Sequence, residues 1–190
     1  MDVDVTERKE KQAYDFSTFK VLVVDDFVFI SDLVSSTLNE MGIGKVMKAE
    51  NGVVAKERLN NYNLVQSVNN IDVIILDWLM PEMNGPAFLK WLRGHEAETI
   101  KFLPVIVCSA YTSTKFVEKA RDLGATEVMV KPVSAEKLAS RIQHVIEHPR
   151  PFIKSPDFFG PDRRRKIIEF KGTERRKTPT EDIEAHHEQV

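Results

Sequence analysis

Four short apolar segments of the chain each end in a polar residue that can help to bind a cation and a phosphoryl group. Asp25 and Asp26 follow VLVV, and Asp77 follows VIIL. Ser109 follows VIVC, and Lys131 follows VMV. In an open parallel sheet, ligands bind beyond the carboxyl ends of the strands, so residues at these ends meet in one crevice. Three carboxylates, one hydroxyl and one ammonium suit a hard divalent cation together with a phosphoryl group.

The three carboxylates of this set repel one another unless a cation joins them. Mg²⁺ prefers oxygen ligands in octahedral geometry and keeps several waters. We therefore expect Asp25, Asp26 and Asp77 to form a magnesium site. The simpler alternative is that Asp25 and Asp26 only cap the first helix. That alternative leaves the strand-end positions of the other three residues unexplained.

The elements that must position these residues follow from the apolar pattern. The predicted strands are residues 20–24, 45–49, 71–76, 104–108 and 127–130. Apolar residues at helical spacing predict helices over residues 30–41, 54–64, 86–92, 112–123 and 135–145, the last with Ser134 as its N-cap. Strands alternating with helices predict a doubly wound α/β domain with a five-stranded parallel sheet and helices on both faces.

Length and composition place limits on the remaining possibilities. A chain of 190 residues predicts one domain with an appendage, or two small domains, and a net charge of −2 indicates no bulk polyanion partner. Cys108 is the single cysteine, so an intrachain disulfide is excluded and a buried thiol is expected. The polar start has no signal-peptide core, and no apolar run approaches the roughly 20 residues of a membrane span. We expect a cytoplasmic protein.

The strand-end residues lie in segments that resemble a known family. The segments are KVLVVDDF, AENGVVA, DVIILDWLMPEMNGPAFLKWLR, LPVIVCSA and EVMVKP. Over residues 20–148 they resemble the receiver domains of two-component response regulators, and most closely the chemotaxis, CheY-like type. The resemblance implies a flavodoxin-like fold for residues 20–148, with residues 1–19 as a polar lead-in and residues 149–190 as an extension.

The resemblance also implies a role for each strand-end residue. Asp77 is the implied phosphoacceptor, and Asp25 and Asp26 hold Mg²⁺ beside it. Ser109 supplies a hydroxyl to the phosphoryl group, and Lys131 pairs with its charge. The implied partner is a histidine kinase or a phosphotransfer protein. The chain would then be a switch that assists its own phosphorylation and dephosphorylation, rather than an enzyme acting on a separate substrate.

One departure from the family pattern bears on how a phosphoryl group would be sensed. The aromatic residue that the family carries three positions before the lysine is Val128 here. Valine has no ring to move between exposed and buried rotamers, so Tyr111, just after the serine, is the alternative aromatic for this role. The resemblance further implies a cis peptide bond before Pro132, which is accessible because the tertiary amide lowers its cost to under about 1 kcal/mol.

The extension carries an imperfect repeat of glycine, any residue, an acid and three basic residues. The two copies are Gly160-Pro161-Asp162-Arg163-Arg164-Arg165 and Gly172-Thr173-Glu174-Arg175-Arg176-Lys177. Before them, PRPFIKSP predicts a proline-punctuated linker, and the rest shows no sustained periodicity, so we predict a largely irregular tail. Arginine forks bind phosphates and guanine edges bidentately, and guanidinium planes stack on bases.

This tail resembles the arginine-rich extension of a subgroup of receivers that bind cyclic di-GMP and act near the flagellar motor. The implied nucleotide contacts are Asp162, Arg163, Arg164, Arg165, Glu174, Arg175 and Arg176. Two alternatives remain open at this point. The tail is a basic segment that docks on a protein partner, or it is simply solvated.

Other function classes are weighed against this one. A receiver that docks a protein partner through its fourth helix and fifth strand, with no nucleotide, is the main alternative. A magnesium phosphatase of the haloacid dehalogenase type needs a second acid two residues after the nucleophile, and Leu79 occupies that position. A dinucleotide oxidoreductase needs a glycine-rich loop after the first strand, which is absent. About 40 residues after the domain are too few for a DNA-reading domain with its own core.

Overall fold

The fold is that of a five-stranded parallel sheet covered on both faces by helices. The computed structural model describes residues 15–111, 113–155, 158–162 and 184–186. The strands of the sheet are β1 (Lys20–Val24), β2 (Lys45–Ala49), β3 (Val73–Asp77), β4 (Val105–Ser109) and β5 (Glu127–Val130). They pair in parallel in the order β2-β1-β3-β4-β5. The predicted fold class is confirmed.

The helices alternate with these strands. They are α1 (Val28–Glu40), α2 (Gly52–Tyr62), α3 (Gly85–Arg93), α4 (Glu98–Lys101), α5 (Thr114–Asp122) and α6 (Ala135–Glu147). The short α4 was not predicted, because four residues carry too little periodicity to be recognised. The fourth helix of the sequence prediction is therefore α5. Ser134 accepts a hydrogen bond from the Lys137 N–H, as expected for the N-cap of α6.

Alternate residues of each central strand enter two separate cores. On one face of the sheet, residues such as Leu22 and Leu76 are fully buried against apolar side chains of α2, α3 and α5. On the other face, Val23 and Ile75 are buried against α1 and α6. Strands that are buried on both faces read as continuous apolar runs, which is why the sequence revealed them clearly.

The segment after α6 contains strands that the sequence analysis missed. β6 (Phe152–Ser155) and β7 (Phe158–Pro161) form an antiparallel pair, and β8 (Glu184–His186) pairs with the other edge of β6. The prediction of a linker was therefore wrong for β6. Its prolines flank the strand, where they do not interrupt the pairing of β6 with its neighbours. Residues 163–183 lie outside the described part of the chain.

The hairpin of β6 and β7 packs on the receiver through aromatic contacts. The Phe152 side chain is buried, and its ring centroid lies 4.9 Å from that of Phe102, just after α4. Phe159 lies 5.3 Å from Phe102 and 5.5 Å from Phe152. The Arg93 guanidinium stacks 5.0 Å from the Phe152 ring centroid, and the Lys101 ammonium lies 4.1 Å from that of Phe159. The residues that follow α6 thus extend the core, whereas the domain boundary at residue 149 stays a prediction.

Among the helices of the described residues, none has both the length and the apolarity required to cross a membrane.

We predict that Phe152→Ala lowers the free energy of unfolding by about 3 kcal/mol, because it leaves a cavity beside the rings of Phe102 and Phe159. Chemical denaturation followed by circular dichroism measures this change. Ile153→Ala, on the opposite face of β6 and only partly buried, is the control and should cost much less. Equal, small losses for both variants would mean that the hairpin does not pack as described.

Candidate functional site

A lysine and two aspartates form the centre of the site at the carboxyl end of the sheet. The Lys131 Nζ donates to Asp25 Oδ2 and to Asp77 Oδ1, each at 2.6 Å. Asp25 follows β1 and Asp77 ends β3, which are adjacent strands, while Lys131 reaches over β4 from the end of β5. The Lys131–Pro132 peptide bond is cis, as the resemblance implied. The three residues therefore form one hydrogen-bonded charge cluster.

Backbone groups hold the remaining carboxylate oxygens. The Phe27 N–H donates to Asp25 Oδ1 at 3.0 Å, and the Leu79 N–H donates to Asp77 Oδ2 at 2.8 Å. Each of the four carboxylate oxygens thus accepts one hydrogen bond from the protein. Both aspartate side chains are oriented by these contacts before any ligand arrives.

Burial and the contacts of Lys131 oppose one another in the electrostatics of this cluster. Burial raises the pKa of Asp77, the hydrogen bond and charge of Lys131 oppose this rise, and the nearby charge of Asp25 adds to it. Burial also acts to lower the pKa of Lys131, but the hydrogen bonds to Asp25 and Asp77 outweigh burial and raise it. Lys131 therefore remains an ammonium at neutral pH, and two carboxylates share one cation.

A small cavity of about 70 Å³ adjoins the cluster. Asp25, Asp77 and Lys131 contribute to its wall, together with aliphatic side chains of α1 and the Cys108 side chain. Burial raises the pKa of the Cys108 thiol to about 12, so this cysteine is protonated at neutral pH and a poor nucleophile. The expectation of a buried cysteine is confirmed.

The other two predicted site residues, Ser109 and Asp26, have surroundings that differ from those of the charge cluster. Ser109 ends β4 and is buried, and its Oγ accepts a hydrogen bond from the Tyr111 N–H at 3.2 Å. Its carbonyl accepts from the Lys131 N–H at 2.8 Å, so the two residues are backbone neighbours. Asp26 is exposed. In the part of the chain that the structure describes, no group of three or more His, Cys, Asp or Glu side chains is arranged to hold a metal ion.

The chemistry of the cluster nevertheless fits Mg²⁺. Asp25 and Asp77 present hard oxygen donors side by side, and exposed Asp26 follows Asp25 directly in the chain. Two carboxylates against one ammonium leave an excess of negative charge, and the charge of Asp25 adds to the rise that burial causes in the pKa of Asp77. A divalent cation would relieve this excess. The assignment of Asp25, Asp26 and Asp77 as its ligands remains a prediction.

An aromatic cluster next to Asp77 was not recognised from the sequence. Trp78 follows Asp77 and is buried, and its ring meets Phe116 of α5 edge-to-face at 4.9 Å. Phe116 in turn lies 5.9 Å from half-exposed Tyr111. Partly buried Val128 packs against the same core. A tryptophan directly after Asp77 was the available signal, but its contact with α5 is visible only in three dimensions.

Of the predicted nucleotide contacts, only Asp162 lies among the described residues. Its backbone N–H donates to the Pro151 carbonyl at 2.8 Å, next to the end of β7. The six others lie outside them: Arg163, Arg164, Arg165, Glu174, Arg175 and Arg176. Their assignment therefore stays a prediction.

Comparison with known proteins identifies similar sequences. Residues 21–143 match the family described as the response regulator receiver domain. The chemotaxis protein CheY of Pseudomonas aeruginosa is 29% identical over 128 residues, which cover 67% of this chain and 96% of that protein. The chemotaxis protein CheY-3 of Vibrio cholerae is also 29% identical over 128 residues, covering 67% of this chain and 92% of that protein.

Solved structures of chemotaxis proteins share the fold. CheY4 of Vibrio cholerae superposes with a TM-score of 0.59 at 34% identity, covering 67% of this chain and 98% of that one. A chain of the CheX–CheY–BeF3–Mg²⁺ complex of Borrelia burgdorferi superposes with a TM-score of 0.59 at 28% identity. The superposition covers 67% of the present chain and 89% of that one. The family match ends at residue 143, before the hairpin of β6 and β7 begins.

We predict that Lys131→Met lowers the free energy of unfolding by about 3 kcal/mol at pH 7, because it leaves two facing carboxylates without their cation. The pKa of Asp77 then rises further, because the hydrogen bond and the charge of Lys131 both lower it in the wild type. Protonation of Asp77 at lower pH removes the repulsion between the two carboxylates. The difference in unfolding free energy between Lys131→Met and the wild type should therefore become smaller toward pH 4. Urea denaturation at both pH values measures it.

The control for this prediction is Lys48→Met, which breaks an exposed ion pair with Asp32 and should cost less than about 1 kcal/mol. A Lys131→Met gap that stays constant between pH 7 and pH 4 would contradict the electrostatic explanation.

We predict that Mg²⁺ at 100 times its Kd raises the free energy of unfolding by about 2.7 kcal/mol, because the ion binds the folded state. Asp26→Asn should reduce this stabilisation at the same ion concentration, whereas Asp32→Asn, an exposed acid on α1, should preserve it. Thermal denaturation with and without Mg²⁺ gives the comparison. Equal stabilisation of both variants would exclude Asp26 as a ligand.

Proposed function

The chain belongs to the response regulator receiver family, and we propose that it is a phosphorylation switch whose phosphoacceptor is Asp77. It contains a CheY-like receiver domain, a type of domain that regulates two-component signalling and is not an enzyme in the ordinary sense. The observation that carries the proposal is the Lys131 ammonium, which lies 2.6 Å from both Asp25 and Asp77. This arrangement presents a buried nucleophilic carboxylate beside a fixed positive charge.

The proposed reaction transfers a phosphoryl group from a phosphohistidine of a histidine kinase or phosphotransfer protein. An Asp77 carboxylate oxygen attacks phosphorus, the P–N bond breaks, and the imidazole leaves with its electron pair. The Lys131 ammonium stabilises the negative charge of the phosphoryl oxygens. Mg²⁺ bound by Asp25, Asp26 and Asp77 would supply further charge neutralisation at the same oxygens. The product is an acyl phosphate on Asp77.

Ser109 is proposed to report this change to α5. Its hydroxyl oxygen accepts a hydrogen bond from the Tyr111 N–H, and its proton is available to a phosphoryl oxygen. Movement of Ser109 toward the phosphate would carry Tyr111 with it, and the Tyr111 ring contacts Phe116 of α5. Because Val128 has no ring to change rotamer, we propose that Tyr111 takes this part instead.

We predict that Asp77→Asn abolishes labelling by acetyl phosphate in the presence of Mg²⁺, because the amide is not a nucleophile for the phosphoryl group. Asp72→Asn is the matched control, since Asp72 is also partly buried but lies at the opposite end of β3. Phosphate incorporation measured by mass spectrometry should remain intact in the control. Full labelling of Asp77→Asn would mean that another residue is the acceptor.

We further propose that the arginine-rich repeats bind cyclic di-GMP and that the liganded chain acts on a partner such as the flagellar motor. Two arginine-rich copies match a ligand with two guanines and two phosphates. The first copy begins in β7, where Gly160 and Pro161 are buried. Arg163 therefore follows directly after a hairpin that is packed on the receiver, which supports a defined starting point for the ligand-binding segment.

The alternative function is docking of a protein partner on the face of α5 and β5, with no nucleotide. The half-exposed Tyr111 and Val130 side chains on this face favour it. An apolar contact of this kind would respond to Asp77 through the same Ser109 and Tyr111 movement. The two proposals differ in whether the arginine repeats bind a small anionic ligand.

We predict that replacing Arg163, Arg164, Arg175 and Arg176 together by lysine weakens cyclic di-GMP binding by more than tenfold. Lysine keeps the positive charge but loses the planar fork, and one charged hydrogen bond alone is worth about 1.5–3 kcal/mol. Titration of labelled cyclic di-GMP into the full chain measures this, with GMP as competitor. Arg121→Lys on α5 is the control.

The outcomes of this titration separate the two functions. Failure of the wild-type chain to bind would remove the nucleotide proposal and leave protein docking. Unchanged binding by the lysine variant would move the nucleotide site away from the repeats. A chain ending at Asp162 retains the packed hairpin and is therefore a better truncation than one ending at residue 149, which would remove Arg150 and Phe152 from the core.

A further inference from the structure

Strand β5 is held at both ends by ion pairs, one in the phosphoacceptor site and one in the extension. Lys131 follows its carboxyl end and contacts Asp25 and Asp77. Glu127 begins the strand, is only 2% exposed, and its Oε1 accepts from Arg150 Nη2 at 2.6 Å. Arg141 Nη1 lies farther away, 3.6 Å from Glu127 Oε2. Because removing one partner of a buried ion pair is strongly destabilising, Arg150 of the extension stabilises the start of β5.

The extension also contacts the turn that leads into β5. A Cβ atom on Gly160 would lie 2.9 Å from the Gly124 Cα, so the two backbones are in direct contact. The Gly124 carbonyl accepts from Arg93 Nε at 3.0 Å and from Nη2 at 2.8 Å, and the same guanidinium stacks on Phe152. The start of β5 is therefore held by the ion pair with Arg150, by the backbone contact of the hairpin with Gly124, and by an arginine shared between Gly124 and Phe152.

We propose that Arg150 and the β6–β7 hairpin act as a clamp on β5 that couples the docking of the extension to the phosphoryl state of Asp77. This rests on the proposed function, in which Asp77 accepts a phosphoryl group. β5 is four residues long and lies at the edge of the five-stranded sheet, where only β4 pairs with it. When Lys131 moves toward a phosphoryl group, the short strand β5 moves with it, because only β4 holds it in place. Glu127, at the other end of β5, moves as a consequence.

The sign of the coupling follows from the contacts. In this arrangement Lys131 bonds both carboxylates while Arg150 bonds Glu127, so the docked hairpin favours the unphosphorylated arrangement of β5. Phosphorylation loosens the hairpin, and loosening the hairpin strengthens binding of the phosphoryl group. Linkage requires the two effects to be reciprocal. The end of β7 precedes the arginine-rich repeats, so their attachment to the receiver changes with the state of Asp77.

The test uses the full-length chain, Mg²⁺ and beryllofluoride as the phosphoryl mimic. Hydrogen exchange is measured at the Asp162 N–H, which bonds the Pro151 carbonyl, and at the paired amides of β6 and β7. We expect these amides to exchange at least fivefold faster when beryllofluoride is bound. Amides of β1, buried at the centre of the sheet, serve as the internal control and should not change.

The converse measurement uses Gly160→Ala, whose added methyl displaces the hairpin from Gly124. Its affinity for beryllofluoride, followed by fluorine NMR, should rise at least fivefold over the wild type, whereas Asn60→Ala on the exposed surface of α2 should not change it. Absence of beryllofluoride binding to the wild type would overturn the proposed function itself. Binding with unchanged or slower exchange in the hairpin would overturn the clamp alone, and that result needs no variant.

Discussion

The contact of one ammonium with two buried carboxylates is the interaction on which this site depends. Asp25 and Asp77 belong to adjacent strands and lie close enough to share Lys131, so their charges would repel strongly without it. The same arrangement underlies the reactivity that we propose for Asp77. It leaves one net negative charge, which a divalent cation would neutralise, and an Asp77 carboxylate oriented by two hydrogen bonds.

The sheet order is what makes this contact possible. β1 and β3 are neighbours, and Lys131 reaches them from β5 across the end of β4. The cores on both faces hold the strands in register, so the carboxyl ends of the strands lie side by side. There the backbone N–H groups of Phe27 and Leu79 complete the contacts of the two carboxylates. At the amino ends of β4 and β5, Phe102 and Glu127 receive partners from residues after α6. Strands of only four or five residues connect the amino and carboxyl ends of the sheet.

Much of the fold was readable because its physical signals are local. Continuous apolar runs mark strands buried on both faces, and Ser134 marks a helix start by a contact with its own neighbours. The hairpin was missed for the same reason. PRPFIKSP has prolines and no helical or alternating pattern. β6 is stabilised by Phe102 and Arg93, which lie 50 and 59 residues before Phe152. Contacts between such distant residues leave no periodicity in either segment.

The sequence alone determined the fold class, the family and the identity of the strand-end residues, because each depends on residue type and order within a strand. Only the tertiary structure decided how those residues are used. It paired Lys131 with Asp25 and Asp77 and left Asp26 exposed. It also placed the Ser109 Oγ where it accepts a hydrogen bond from the Tyr111 N–H. It also buried Glu127 against Arg150, since the electrostatic need of a buried charge is met by whichever cation the packing brings near, and spacing along the chain does not specify that partner.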